Sequence, residues 1–438
     1  MSRTEIRAIT HAALSISSIS LVVKLLGMAR EMLMARNLGV APEVDAFVVA
    51  FGLVMLYVNV VLGTVPAALV PVYVKIKTQE GDDAALDLGV WTTLLALGLA
   101  LLAILVLNVL ARPLLAAAGP GLGPEARAWL VPVFRAMTPL IALSTLSQLL
   151  SAVQNAEGRF ALPALVPGLT AVASVAGLAF FPGFRIWALV AGILAGGLLE
   201  GAVLAWTISR RFRRKLGPVP WAHVRTFIRQ FTPMVGGGLL MCSTALVDVG
   251  VASFLPVGGI AALTYANRIP QALLTLSAGA LGTAVLPTFS RLTATRNWDQ
   301  LRRVAATFLL GTMALAAVVA VALILASRPM VAAVFQRGAF TEAQTLEVAR
   351  VQAMYFVQLP FYIGGILVVR VISALGSNQI LLPAAAFSAA VNLGFDILLL
   401  KWMGLPGIAL STAVVHALTL VLLSAWAWRL IKRQEAAP

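Results

Sequence analysis

Cysteine is almost missing from this 438-residue chain. Cys242 is the only one, which excludes an intrachain disulfide, and a lone thiol in an apolar run is most often a small core residue. Histidine is scarce too. His11, His223 and His416 stand far apart and match no zinc spacing, so structural or solvated roles are expected for all three. Charge is the third scarcity: charged side chains make up 11% of the residues, against roughly 25% in a soluble domain. No stretch reads as a separate soluble domain. The N-terminus, MSRTEIRAITH, lacks the short apolar core and small-residue cleavage site of a signal peptide, so the first apolar span is expected to stay in the mature protein. No nucleophile–base set and no nucleotide loop is recognisable, which argues against an enzyme.

What is present is hydrophobic. Apolar residues account for 60% of the chain and the mean hydropathy is +0.95. Runs of about 20 residues, long enough to cross ~30 Å of hydrocarbon, recur from end to end. They predict an all-α polytopic membrane protein with twelve transmembrane spans, near 10–37, 44–74, 87–111, 126–154, 162–181, 186–209, 226–255, 258–290, 303–327, 345–374, 380–400 and 405–429. The net charge of +15 is explained by orientation and not by nucleic acid. With the N-terminus inside, 19 basic residues fall on cytoplasmic ends and loops and 7 on the outer side, as the positive-inside rule requires. Both termini are therefore expected in the cytoplasm.

The polar loop RRFRRKLGPVPWAHVR, residues 210–225, divides the spans six and six. The expected organisation is an N-terminal six-helix bundle (1–209), a basic cytoplasmic linker (210–225) and a C-terminal six-helix bundle (226–438). The halves look related. Leu69-Val70-Pro71-Val72-Tyr73 aligns with Val285-Leu286-Pro287-Thr288-Phe289, and the linkers SAVQNAEGRFALPA and SALGSNQILLPA both end Leu-Pro-Ala, at Pro163 and Pro383; the offsets are 216 and 220 residues. Parallel repeats of this kind build transporters with a substrate site between the halves, so two pseudo-symmetric bundles around a central cavity are expected. Pro66, Pro71, Pro139, Pro233, Pro287 and Pro360 lie within spans and allow kinks.

Charges inside spans point to chemistry, because a charge at bilayer depth costs at least ~2.5–3.5 kcal/mol on insertion scales. The first two spans carry Lys24, Arg30, Glu31 and Asp45, and span 8 carries Arg268. Arg binds phosphate with a planar fork, and three fixed cations around one cavity suit a pyrophosphate better than a neutral molecule. The competing reading is that these side chains snorkel to the interface, and Arg30, near the end of its span, suits it best. Asp45 either stabilises the start of its helix or pairs with Arg30. Glu31 lies two helical turns from Lys24, on the same face.

A second set occupies the C-terminal half: Asp248 in span 7, Asn392 and Asp396 in span 11, and Thr412 in span 12, four residues after Ile408. Asn392 and Asp396 are i,i+4 and point the same way. Two carboxylates, an amide oxygen and a hydroxyl suit a hard cation such as Na⁺, or the carboxylates could carry protons; a transition metal would call for His or Cys. Alternatively, Asp396 neutralises a basic neighbour or Asn392 bridges helices.

The segments KLLGMAREMLMARNLGVAPEVDAFVVAF, EGRFALPALVP, LGTAVLPTFSRL and VFQRGAFT, with the Pro383 linker, resemble the MurJ/MviN lipid II flippases of the multidrug/oligosaccharidyl-lipid/polysaccharide exporter superfamily. The resemblance runs from about Ser18 to Arg433. It implies a carrier of undecaprenyl-pyrophosphate-linked disaccharide-pentapeptide in the bacterial inner membrane, acting as a monomer beside the cell-wall synthesis machinery. Lys24 stands where the family often has Arg, and Arg30, Asp45 and Arg268 match its cavity residues. The resemblance also implies a Na⁺ site of Asp248, Asn392, Asp396, Thr412 and the carbonyl of Ile408, with no tightly bound cofactor. This chain departs from the pattern at Val58, where an Arg is usual, and before Gly63, where a carboxylate is usual. It also stops after span 12, where typical members have two more helices. The alternatives are a flippase for another polyprenyl-linked glycan (O-antigen or capsule type), a cation-coupled drug antiporter, or a non-transporting membrane scaffold.

Overall fold

Among the described residues, twelve long helices run where the apolar runs place them. The computed structural model describes residues 3–209 and 216–435; within these, the side chains of 3–18, 20, 230, 233, 234, 236–246, 279, 280 and 282–284 are not described. Cys242, His11, Pro233 and the basic run 210–215 of the linker therefore lie outside the described residues or side chains. The helices are α1 (Arg3–Leu38), α2 (Pro42–Glu80), α3 (Asp82–Val109), α4 (Pro124–Ala156), α5 (Ala161–Phe180), α6 (Ile186–Ser209), α7 (Trp221–Ala252), α8 (Gly259–Ala294), α9 (Trp298–Phe335), α10 (Glu342–Ala374), α11 (Asn378–Met403) and α12 (Leu405–Glu435). Among the described residues, nine are long and apolar enough to cross a membrane; α1, α7 and α8 contain side chains outside that set. A short helix, Ala111–Ala118, follows α3.

The prolines punctuate these helices. Pro66, Pro139 and Pro360 each sit in the first turn of a segment that resumes after an interruption, at Val65–Glu80, Pro139–Ala156 and Leu359–Ala374. There the missing N–H is one the helix would leave unbonded anyway. Pro71 and Pro287 lie inside helices. In α2 the interruption is a π turn, Val58–Leu62. It covers the stretch whose Val58 departs from the family pattern.

The chain forms two compact units, Met1–Cys242 and Ser243–Pro438. Their internal repeat is written in the backbone. Left-handed φ values occur at Gly39 and Gly258, at Gly81 and Arg296, at Gly158 and Gly376, and at Arg185 and Gly404. Within these four pairs the numbers differ by 219, 215, 218 and 219. Only glycine adopts this conformation without steric cost, so four turns of the same hand in one register mark four corresponding loops.

In the first unit the core gathers Leu62, Leu69, Tyr73, Leu88, Leu149, Val153 and Leu204. α5 and α6 approach backbone to backbone: a Cβ on Gly196 would lie 2.2 Å from Thr170 Cα, and one on Gly192 2.6 Å from Ser174 Cα. Small residues one turn apart allow such contact between membrane helices. The buried Tyr73 donates to Glu157 Oε1 at 2.9 Å, and Lys77 Nζ reaches both oxygens of Glu157 at 3.0 and 2.9 Å. The Glu157-Gly158 loop is thereby fastened to the end of α2. Gly217 is held on α3, its carbonyl accepting from Trp91 Nε1 at 2.9 Å.

In the second unit, VFQRGAFT is a structural device. Phe335 and Phe340 pack on Tyr265 at 5.3 and 5.8 Å between ring centroids, Gly338 turns at φ 61°, and Thr341 starts α10 with a reciprocal capping box to Gln344. The apolar faces of α3 (Leu99, Leu102, Leu105) and α9 (Leu310, Leu315, Leu325) are exposed. Lipid tails are as apolar as leucine, so these faces suit a bilayer and not water.

Candidate functional site

The basic residues of α1 differ in their surroundings. Lys24 is exposed. Arg30 is half-buried and donates from Nη2 to Glu31 Oε1 at 2.7 Å, so Glu31, itself 3% exposed, takes Arg30 as its ion-pair partner. Asp45 is buried in the first turn of α2, where a carboxylate meets the positive end of the helix dipole. Two residues earlier, buried Glu43 accepts from Arg185 Nε at 2.6 Å. That hydrogen bond holds the Arg185 guanidinium above its ordinary pKa. It also ties the start of α2 to the α5–α6 loop, whose turn at Arg185 has φ 52°.

Arg268 belongs to the second unit. It lines a cavity of about 150 Å³ with Asp248, Thr264, Asn267, Gln271 and Tyr355. The lining comes from α7, α8 and α10. Leu263 and Val249 complete it, so the polar groups converge inside an apolar unit.

Beside this cavity the structure brings together Asp248, Asn392, Asp396 and Ser411; the Ile408 carbonyl and Thr412 lie on the same helix as Ser411, with hydrogen bonds local to that helix. Asn392 Nδ2 donates to Asp248 Oδ1 at 3.0 Å, which fixes the amide so that its oxygen faces away from that carboxylate. Ser411 Oγ donates to Asp396 Oδ1 and lies 2.8 Å from the Ile408 carbonyl; Thr412 Oγ1 reaches the same carbonyl at 3.4 Å. The carboxyl groups of Asp248 and Asp396 adjoin each other. Among the described residues neither forms an ion pair with a basic side chain.

Among the described residues, two acceptors here, Asn392 Oδ1 and Asp396 Oδ2, are buried without a hydrogen-bond partner. A buried unsatisfied acceptor costs about 1–3 kcal/mol, and adjoining carboxylates repel unless a shared proton or a cation lies between them. The donors available are all oxygens, which suits a hard cation. Among the described residues no group of three or more His, Cys, Asp or Glu side chains is arranged for a metal ion. The unbonded oxygens leave two chemistries open, a hard cation such as Na⁺ or a proton held between the carboxyl groups.

Sequence spacing missed two members of this cluster. Ser411, fully buried, is the hydroxyl that touches both Asp396 and Ile408, whereas the i,i+4 rule points to its neighbour Thr412. Tyr355, 2% exposed, lines the cavity beside Asp248. It sits in an ordinary-looking stretch, AMYFVQ, that carries no signal of its own.

Comparisons by sequence point to one family. The family model described as "Lipid II flippase MurJ" matches residues 34–437. A probable lipid II flippase MurJ from Synechocystis sp. is 28% identical over 452 residues, covering 98% of this chain and 82% of the relative. Among solved structures, a lipid II flippase MurJ in an inward closed conformation superposes with a TM-score of 0.80 at 21% identity, covering 96% of this chain and 89% of the other. An inward-facing multidrug resistance MATE family transporter of the MOP superfamily gives 0.78 at 15% identity, with 97% and 100% covered. At these identities the two structures establish the fold.

Proposed function

The chain belongs to the lipid II flippase MurJ family, and from that premise we propose that it carries lipid II, the polyprenyl-pyrophosphate-linked peptidoglycan precursor, from the inner to the outer leaflet of the bacterial cytoplasmic membrane. The observation that carries the proposal is Arg268, a fixed cation lining a polar cavity within an apolar unit. A permanently charged side chain is costly at that depth, and a guanidinium is matched to a phosphate in charge and in geometry. Lys24 and Arg30 are proposed as substrate-binding residues of the first unit. Arg30 would act while Glu31 holds it in place.

Transport is proposed to proceed by alternating access, with Na⁺ or the membrane potential resetting the carrier. Asp248, Asn392, Asp396, Ser411, Thr412 and the Ile408 carbonyl would hold Na⁺, which when bound supplies a positive charge to two adjoining carboxylates. Asn392 orients Asp248 through its amide N–H, and Ser411 orients Asp396. One charge crossing 100 mV is worth ~2.3 kcal/mol, enough to bias such a cycle. Both termini are proposed to be cytoplasmic.

Growth of a bacterial strain depleted of its own lipid II flippase tests the reading. The wild-type chain should restore growth, and Arg268→Glu, present in the membrane at the same level, should not. A second reading, a flippase for another polyprenyl-linked glycan, draws on the apolar π turn at Val58–Leu62, which makes the cargo site less basic. It predicts no rescue of that strain and rescue of one lacking O-antigen or capsule export.

A further inference from the structure

One end of the second unit gathers positive charge around tryptophan. Arg302 on α9 pairs with Asp299 and Glu435 at 3.3 and 2.6 Å. It also lies over the Trp428 ring at 5.5 Å, with Lys432 Nζ 5.4 Å from the same ring. Gln434 Nε2 donates to the Leu375 carbonyl at 3.2 Å, which holds the end of α12 against the α10–α11 turn. Between the start of α11 and α12 opens a cavity of about 230 Å³ lined by Ile380, Trp426, Arg429, Leu430 and Arg433.

Arg429 and Arg433 are exposed, one helical turn apart, and among the described residues neither forms an ion pair. Like charges at this spacing repel across a helix face. The carboxylates of Asp299 and Glu435 are engaged by Arg302, so the arginine pair meets its countercharge elsewhere. Positive charge at the cytoplasmic ends of helices follows from membrane orientation alone. Orientation alone does not build a cavity lined together by a tryptophan, two apolar side chains and two unpaired guanidinium groups. Tryptophan rings belong at the headgroup level, and basic pockets between helices on the cytoplasmic side take anionic headgroups. The volume falls below the ~300–1,000 Å³ of sites for drug-sized ligands, so it fits a headgroup and not a whole glycolipid.

We propose that Arg429, Arg433 and Trp426 form a binding site for the phosphodiester of an anionic phospholipid in the leaflet facing this end of the protein. The forked guanidinium groups take the phosphate oxygens, and Ile380 and Leu430 meet the glycerol and the first methylenes of the acyl chains. The site is separate from the Arg268 cavity and does not rest on the identity of the transported lipid.

The test is native mass spectrometry of the purified chain titrated with phosphatidylglycerol, with phosphatidylcholine, inorganic phosphate and lipid II in parallel arms. Wild type should retain phosphatidylglycerol in preference to phosphatidylcholine. Arg429→Gln/Arg433→Gln should weaken the tightest binding about thirty-fold, from the contribution of two basic groups near a membrane surface, and Arg429→Lys/Arg433→Lys should retain most of it. Both positions are exposed, so the glutamine variant is expected to fold, and an unchanged elution profile checks this. Equal retention by the glutamine variant, equal binding of phosphatidylcholine, or displacement by millimolar inorganic phosphate would each overturn the proposal. Stoichiometric displacement by lipid II would reassign the pocket to the cargo.

Discussion

Asp396→Asn probes the cation cluster most sharply, because it removes one negative charge while keeping the side chain's size. Among the described residues, two acceptors in the cluster, Asn392 Oδ1 and Asp396 Oδ2, are buried and unbonded. At about 1–3 kcal/mol each, a cation that satisfies both relieves roughly 2–6 kcal/mol. The stabilisation observed depends on occupancy, about 2.7 kcal/mol when the ion is present at a hundred times its Kd. For a unit the size of Ser243–Pro438, a kilocalorie moves the melting temperature by roughly 2–4 °C. Wild type should therefore melt roughly 5–10 °C higher in saturating NaCl than in KCl of the same ionic strength. Asp396→Asn should abolish the difference. In KCl the variant should be no less stable than wild type, since removing one of two adjoining buried carboxylates removes a repulsion. Melting followed by thiol-independent dye fluorescence in detergent measures all three quantities. Equal melting of wild type in the two salts, or a sodium-specific shift that survives in Asp396→Asn, would refute the reasoning.

Three further outcomes are expected. Ser411→Ala should reduce the sodium-specific shift, and Ser411→Thr, which keeps the hydroxyl beside Asp396, should preserve most of it in the same melts. Gly196→Ala places a methyl 2.2 Å from Thr170 Cα and should cost about 1–3 kcal/mol as overpacking, read as a lower melting temperature in either salt. Tyr73→Phe deletes the donor to the Glu157 carboxylate and should cost about 1.5–3 kcal/mol, measured by denaturant unfolding in detergent.

The helices were legible because hydrocarbon thickness sets their length: an apolar run of about 20 residues has few other homes. Their interruptions were legible where proline stands, at Pro66, Pro139 and Pro360. The π turn at Val58–Leu62 was not, because valine, asparagine and leucine fit an α-helix and a π turn alike. The short helix Ala111–Ala118 was missed for a related reason, as its eight residues fall below the length of a span. The repeat was visible in two proline-centred matches, and the paired left-handed turns extend it to loops with different residues, such as Gly81 and Arg296. Backbone conformation, not residue identity, carries that second layer.

For the candidate site, the costly residues announced themselves and their pairings did not. Asp248, Asn392 and Asp396 stood out as polar groups in apolar spans, and the structure joins them. Glu31 faces Lys24 by helical spacing, yet it pairs with the adjacent Arg30 through a long, flexible side chain. Ser411 was passed over for Thr412 because a periodicity rule cannot see that Asp396 arrives from another helix one residue off register.

The central claim is that this chain moves a polyprenyl-pyrophosphate lipid and that Arg268 holds its charge. Reconstituted proteoliposomes carrying fluorescent lipid II in one leaflet test it directly, with and without a sodium gradient. The account predicts that wild type transfers the label to the opposite leaflet, that the gradient changes the rate, and that Arg268→Glu stops transfer while inserting normally. Transfer by Arg268→Glu at the wild-type rate, or no transfer by correctly inserted wild type, would contradict it.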